Sequence, residues 1–436
     1  MRVLFVHQNF PGQYLHLARY LGSNPANEVV FITQRAEGQL PGVKKVVYRP
    51  RRVVTPNVHH CLRESEAAIL NAQEVARVAL DLRKAGFIPD VMLGHNGWGE
   101  IWYLRDIFPH SPLVGYFEFF YRLHGADVGF DRNDPVTPDT APRLRTKNLG
   151  NLLGLEVANI GQCATHWQKS GYPKRYHPIL HVIHEGIDSQ AARPDPAARL
   201  KIPGGELELA AGEEVVTYVA RNLEPYRGFP EFMRSLPRIL DRRPTAHVVI
   251  VGGDDVSYGR RLPEGRSFRQ ESLNELKGSL DLSRVHFLGH VPRSTFEKVL
   301  QISRVHVYLT YPFVLSWSML EAMAAGCLVV ASKTPPVEEV IRDCGNGLLV
   351  DFFSTNEIAD RVIEALEDRH AHRSIRHNAR QTILDEYDLR AICLPAQLHL
   401  VSALARQSES SKRARGPVIT PVSSIAKATS TGDQSR

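Results

Sequence analysis

Apolar and polar residues alternate along this chain in two repeating series. In the first, RVLFVHQ (2–8) is a short apolar run closed by polar residues, which predicts a buried strand. A turn, NFPGQ, follows, and YLHLARYL (14–21) then carries Leu15, Leu17, Ala18 and Leu21 at helical spacing. EVVFITQ (28–34), VKKVVYR (43–49), PDVMLGH (89–95) and PLVGYFEFF (112–120) read as further strands. A long amphipathic helix is predicted over 61–86 and a shorter helical stretch in GEIWYLRDIF (99–108). Strands separated by helices argue for parallel sheets covered on both faces.

The second series begins after SQAARPDPAARLKIPGGELELAAGEE (189–214), whose Pro, Gly and charged residues predict an inter-domain connection. EVVTYVAR, AHVVIVGG, RVHFLGH, VHVYLTYP, CLVVAS and GNGLLVDF read as strands, with helices in PEFMRSLPRIL, FEKVLQIS and WSMLEAMAAG. The expected organisation is an α/β chain of two doubly wound, Rossmann-like domains facing a cleft, 1–188 and 215–375, joined by 189–214. Closing helices are expected over 376–406, and a polar, core-poor, disordered tail over 407–436. Ligands of such sheets bind beyond the carboxyl ends of the strands.

Composition narrows the function. The 436 residues exceed what one core usually serves. A net charge of +6 suits phosphorylated ligands or an anionic membrane surface, and no dense basic block or zinc spacing points to nucleic acid. Five scattered cysteines without a CxxC read as reduced thiols of a cytoplasmic protein. Neither a signal-peptide pattern nor a membrane-length apolar run is seen, so any membrane contact is expected to be peripheral, on the inner face of the plasma membrane. The basic run Arg143–Lys147 is the candidate for it. A GxSxG elbow, a P-loop and a GxGxxG turn are all missing, which weakens hydrolase, kinase and dehydrogenase readings.

The candidate chemistry gathers at strand ends. In TYPFVLSWSMLEAMAAG (310–326) a strand leads to a helix starting within Leu315–Trp317, where free amides and the helix dipole favour a phosphate. Glu321 is then placed to accept from sugar hydroxyls, or, in Ser318-Met319-Leu320-Glu321, to close a capping box. Arg221 and Arg227, just after a strand, can neutralise a diphosphate, or be two solvated arginines. Gly252 and Gly253 end a strand and allow close backbone approach, and Gly289 with His290 ends another. Asp254-Asp255 reads as turn chemistry rather than a metal site, and neither the histidines, including His59-His60, nor the cysteines have metal-ligand spacing. In the first half, Gly12 and Gln13 follow the first strand. His95 ends another, as site residue or as structural histidine. Glu118 lies at the end of a strand pattern, as a functional carboxylate or as a buried acid paired with Arg122.

These segments resemble a known family. EAMAAG after a strand and turn resembles the C-terminal signature of family 4 (group 1) retaining glycosyltransferases of GT-B fold, and Ala220–Gly228 resembles that family's Gly-Arg-Leu-x-x-x-Lys-Gly, with Arg227 in the Lys position. Val249–Asp254 and Phe287–Val291 match its Gly-rich strand end and base-contacting segment. The family usually carries a further Glu, then seven residues, before the second Glu, and Phe313 stands there, followed by Val314-Leu315-Ser316 in place of Gly-Phe-Gly. The resemblance implies that Glu321 binds the donor ribose, that the Leu315, Ser316 and Trp317 backbone holds the diphosphate, that Gly12 faces donor and acceptor, and that Glu118 occupies the place of a catalytic-site His. It implies metal-independent transfer, with retention, from a UDP- or GDP-sugar used as co-substrate, with no cofactor. The acceptor would be a saccharide or lipid-linked glycan, as in bacterial surface polysaccharide or lipopolysaccharide synthesis. Alternatives are a nucleotide-sugar epimerase of the same fold and a catalytically degenerate glycan-binding homologue, for which Phe313 is the feature; a phosphorylase would need a Lys-bound pyridoxal phosphate, for which no context is seen.

Overall fold

A computed structural model describes residues 1–368 and 370–414, with side chains to 407. Two parallel sheets form the molecule. The first has seven strands in the order β3-β2-β1-β4-β5-β6-β7: β1 Arg2–Val6, β2 Glu28–Thr33, β3 Val43–Val47, β4 Val91–His95, β5 Leu113–Tyr116, β6 Ile160–Cys163 and β7 Leu180–Val182. The second has six in the order β12-β11-β10-β13-β14-β15: β10 Val215–Asn222, β11 His247–Gly253, β12 Val285–Gly289, β13 Val305–Tyr308, β14 Leu328–Ser332 and β15 Leu348–Val350. β8 Arg199–Lys201 and β9 Glu208–Ala210 form a small antiparallel pair.

The central strands are apolar along their length because helices cover both faces: Val3, Leu4, Phe5 and Val6 are all fully buried, as are Val248, Val249 and Ile250. In each sheet the order reverses once, between β1 and β4 and between β10 and β13. The loops leaving those four strands diverge and leave a crevice. These loops, 7–14, 95–99, 221–228 and 309–316, carry part of the sequence's candidate residues, among them Gly12, His95, Arg221 and Arg227.

Several expectations need correction. β6 and β7 were not foreseen; IGQC and LHV are too short and too polar to stand out. The segment 189–214 is more than a connection, because Ala198, Leu200, Ile202 and Leu209 pack into one core with Val215, Val249, Val251, Val299 and Ile302 of the second sheet's layer. The last helix, Leu394–Ala414, runs past the expected tail boundary at 407, while the remainder of that tail, 415–436, lies outside the described residues. This helix packs on the first domain: Val401 and Leu404 share a core with Phe5, Leu17, Leu21, Val91 and Leu93. The chain thus crosses between domains twice, and the crossings pair, with the Ile187 N–H donating to the Tyr387 carbonyl (2.8 Å) and the Leu389 N–H to the Ile187 carbonyl (2.9 Å).

One buried polar cluster underlies the first sheet. Tyr48 donates its hydroxyl to Glu100 Oε1 at 2.7 Å, Gln34 donates to Tyr48 and Asn71, and Glu100 Oε2 is buried without a partner. Burial pushes the Glu100 carboxyl up to about 7, against the Tyr48 hydrogen bond that lowers it. A carboxyl raised above its unfolded value contributes stability that is complete below about pH 4.5 and is lost as pH rises through about 7, here about 3 kcal/mol. Glu100→Gln is therefore expected to gain in melting temperature relative to wild type, by several degrees, between pH 4 and pH 8. Thermal unfolding at the two pH values checks this; an unchanged difference would show that Glu100 ionises freely.

Candidate active site

Three histidines end elements of the first domain in the same way. The ring Nδ1 of His7, His95 and His184 accepts the backbone N–H of Asn9, Gly97 and Gly186, each at 2.9 Å. This assigns the proton of each neutral ring to Nε2. Burial holds His7 down to about 4 and His95 well below its ordinary value, so both are neutral at pH 7. His7 Nε2 then donates to Gln13 Oε1 at 2.6 Å. Gln13, a candidate for the acceptor side, is thus bonded to His7. Gly12 has φ +54°, and a Cβ there would lie 2.5 Å from the His7 ring, so glycine is required on both counts.

His95 is sandwiched between Trp98 and Tyr116, with ring centroids at 4.6 and 5.2 Å, and its Nε2 is buried with no hydrogen-bond partner. That nitrogen lies 3.8 Å from Glu118 Oε2. Both residues line a cavity of about 110 Å³ together with Phe119, Phe313, Lys147 and Asn151. Glu118 does not pair with Arg122, whose guanidinium stacks on Trp167 (4.8 Å). Burial and the nearby Glu185 push the Glu118 carboxyl up to about 7, while Arg221 and Arg227 from the opposite domain pull it down.

The second domain closes the other side. Arg227 is buried, and its Nη1 donates to the Tyr308 hydroxyl (3.0 Å), Thr310 Oγ1 (2.7 Å) and the Val314 carbonyl (2.9 Å). Tyr308 in turn accepts the Ser316 N–H at 2.8 Å. Of the three amides expected to hold phosphate, Ser316's is thus already engaged, and those of Leu315 and Trp317 remain. Ser316 is the N-cap of the helix Trp317–Ala324, accepting the Ser318 N–H. Glu321 is consequently the fifth helical residue, too far along for a capping box, and that alternative is removed. Its partner is Arg293, an ion pair no local pattern predicts. Arg221 is exposed at the cleft, and Gly252, Gly253, Gly289 and His290 line up at the ends of β11 and β12: a Cβ on Gly253 would lie 2.3 Å from His290 Nε2. Asp254 and Asp255 pair with Arg269 and Arg261, as turn residues do. Among the described residues one group has metal-ligand proximity, His59, His60 and Cys61, whose ligand atoms lie within 4.8 Å of one another on an exposed turn that sequence spacing had set aside.

Sequence reasoning missed several site residues. Glu185, almost fully buried, accepts the Tyr116 hydroxyl and, at 3.1 Å, the Trp317 indole N–H, and so ties the first sheet to the start of the Trp317 helix. Phe313 is buried in an aromatic cluster with Phe119 (4.5 Å), Tyr258 (5.1 Å) and Tyr226 (5.6 Å), and its carbonyl accepts the Trp167 indole N–H. The Glu339 carboxylate accepts the His166 and Trp167 backbone N–H groups across the cleft. A polar residue closing an apolar strand, as in His7 or in the HEG after β7, was the available signal. The basic run 143–147 offers no single face: Lys147 sits over Tyr121 (4.2 Å) and beside Glu64. No described helix is long and apolar enough to cross a membrane.

Two family models match the chain, the glycosyl transferase family 4 group over residues 25–192 and the glycosyl transferases group 1 over 205–382. The chain belongs to the family 4, group 1 glycosyltransferases, and it is a glycosyltransferase of GT-B fold. It is 25% identical over 381 residues to a GDP-mannose-dependent alpha-(1-6)-phosphatidylinositol monomannoside mannosyltransferase of Mycobacterium tuberculosis, covering 84% of this chain and 90% of that one. It is 28% identical to N-acetyl-alpha-D-glucosaminyl L-malate synthase of Bacillus anthracis over 61% of this chain and 62% of that one. Among solved structures, sucrose-phosphate synthase of Thermosynechococcus elongatus superposes with a TM-score of 0.66 at 18% identity, over 94% of this chain and all of that one. HepE of Anabaena in complex with UDP-glucose superposes at 0.61 with 16% identity, over 94% of this chain and 99% of that one.

Proposed function

We propose that the enzyme transfers a sugar, with retention and without a metal, from a UDP- or GDP-sugar to a saccharide or lipid-linked saccharide acceptor. The observation that supports this best is the meeting across one cleft of two unlike half-sites: Arg221, Arg227 and the start of the Trp317 helix on one side, Glu118 and His95 Nε2–H on the other. The cationic half fits a diphosphate whose charge grows as the C1–oxygen bond breaks. The Glu118 half fits an acceptor hydroxyl that attacks C1 from the same face, with its proton passing to the departing phosphate oxygen or to Glu118. Glu321 would take the ribose by sharing its carboxylate with Arg293. Closure of the aromatic cluster around Phe313 would keep water, a competing acceptor, out. Relatives named for phosphatidylinositol substrates favour an acceptor of the cell envelope, and surface polysaccharide or lipopolysaccharide assembly at the inner membrane face is the setting we infer.

A thermal-shift titration of wild type and Glu321→Ala with UDP, GDP, ADP and CMP tests the donor site. Ligand binding only the native state raises its stability by mass action, about 2.7 kcal/mol at a hundredfold excess over Kd. One nucleoside diphosphate is expected to stabilise wild type and to lose most of that shift in the variant. Were none to bind, the degenerate, glycan-binding reading would replace this one.

A further inference from the structure

A second, larger cavity of about 400 Å³ adjoins the first along the domain seam, lined by Asp127, Asp131, Asp134 and Asp139 with Tyr226 and Tyr311. The helix Thr140–Lys147 walls both cavities: Arg143 lines the second, and Lys147, four residues later, lines the first. Four residues of helix advance about 6 Å, roughly one sugar ring. On the opposite wall the Tyr226 ring stacks on Tyr311 (4.6 Å) and meets Phe313, which lines the first cavity, edge-on. The two cavities therefore neighbour each other along the domain seam, with Glu118 in the first.

The second cavity is acidic by construction. Among the described residues none of its four aspartates forms an ion pair, and Arg143 is the one Lys or Arg side chain in its lining. Asp127 accepts the Tyr226 hydroxyl (2.8 Å) and Asp131 the Tyr311 hydroxyl (3.0 Å). Asp127 is only 6% exposed, and its Oδ1 has no hydrogen-bond partner. An unpaired buried carboxylate oxygen is costly unless a donor meets it, and burial accordingly raises its proton affinity. A ligand with hydroxyl donors and one cationic nitrogen supplies both the hydrogen bonds and the missing charge.

We propose that this second cavity is a distal acceptor subsite that takes a sugar unit carrying a free amino group. The proposal rests on the reading of the first cavity as the acceptor's reacting site. It is tested by isothermal titration with the β-1,4-linked glucosamine disaccharide and its di-N-acetylated counterpart, on wild type and on the Asp134→Asn/Asp139→Asn double variant. Both positions are exposed and lie outside the catalytic residues, and the nucleotide thermal shift reports separately on fold and donor site. The free-amine disaccharide is expected to bind wild type about tenfold or more tighter than the acetylated one, as loss of a charge-assisted contact implies, and the double variant to remove that preference while keeping the nucleotide shift. Equal binding of the two sugars by wild type, or an unchanged preference in the double variant, would overturn the proposal. Stabilisation by Ca²⁺ or Mg²⁺ with no disaccharide binding would also overturn it, assigning the aspartates to a cation instead.

Discussion

Arg227→Ala is expected to lower kcat/KM by about 10²–10³, the usual cost of removing one preorganised group aimed at developing charge. Arg227 is buried, so its charge acts in a medium of low effective dielectric, and Tyr308, Thr310 and Val314 hold its guanidinium in place before substrate arrives. The same bonds brace the turn before the Trp317 helix, so the variant loses placement as well as charge. Two companions separate these effects. Arg227→Lys keeps the charge but not the planar guanidinium whose Nη1 reaches Tyr308, Thr310 and Val314, and is expected to fall between wild type and alanine. Arg221→Ala removes an exposed side chain, and is expected to weaken nucleotide binding without changing the melting temperature of the unliganded enzyme. Steady-state kinetics on the three variants, with melting curves, decides the matter; a less than tenfold loss for Arg227→Ala would remove Arg227 from the diphosphate site.

Glu118→Gln is expected to lower kcat about 10²-fold and to remove a pH dependence. Desolvation and Glu185 push the carboxyl up to about 7, more than the two arginines pull it down. A group that accepts a proton, or a hydroxyl hydrogen bond, works as the carboxylate, so wild-type kcat/KM should rise from pH 6 to pH 8 through an inflection near 7. Glutamine keeps the size and an acceptor oxygen but cannot ionise, so its profile should be flat there. An inflection that survived in Glu118→Gln would belong to another group.

Much of the fold was legible because strands buried on both faces must be apolar throughout, as in Val3–Val6 and Val248–Ile250. The glycine-bearing turns that follow them mark the crevice. What failed was whatever depends on partners far along the chain. Glu185 meets Trp317 over 132 positions, and the Trp167 indole meets the Phe313 carbonyl over 146. Glu321 read locally as a cap or a free ligand, and only packing of the helix Arg293–Ile302 beside its own reveals Arg293 as its partner. Gln13 sits in the expected loop, but its bond to His7, whose tautomer the Asn9 amide sets, was not legible.

The return of the Leu394–Ala414 helix to the first sheet sets an order of events during synthesis. The first domain has its face of Phe5, Leu17, Leu21, Val91 and Leu93 completed by Val401 and Leu404, which are made only after the second domain. Until then that apolar surface lacks part of its cover through the making of the whole second domain. A stop codon anywhere in the second half therefore harms the half already made.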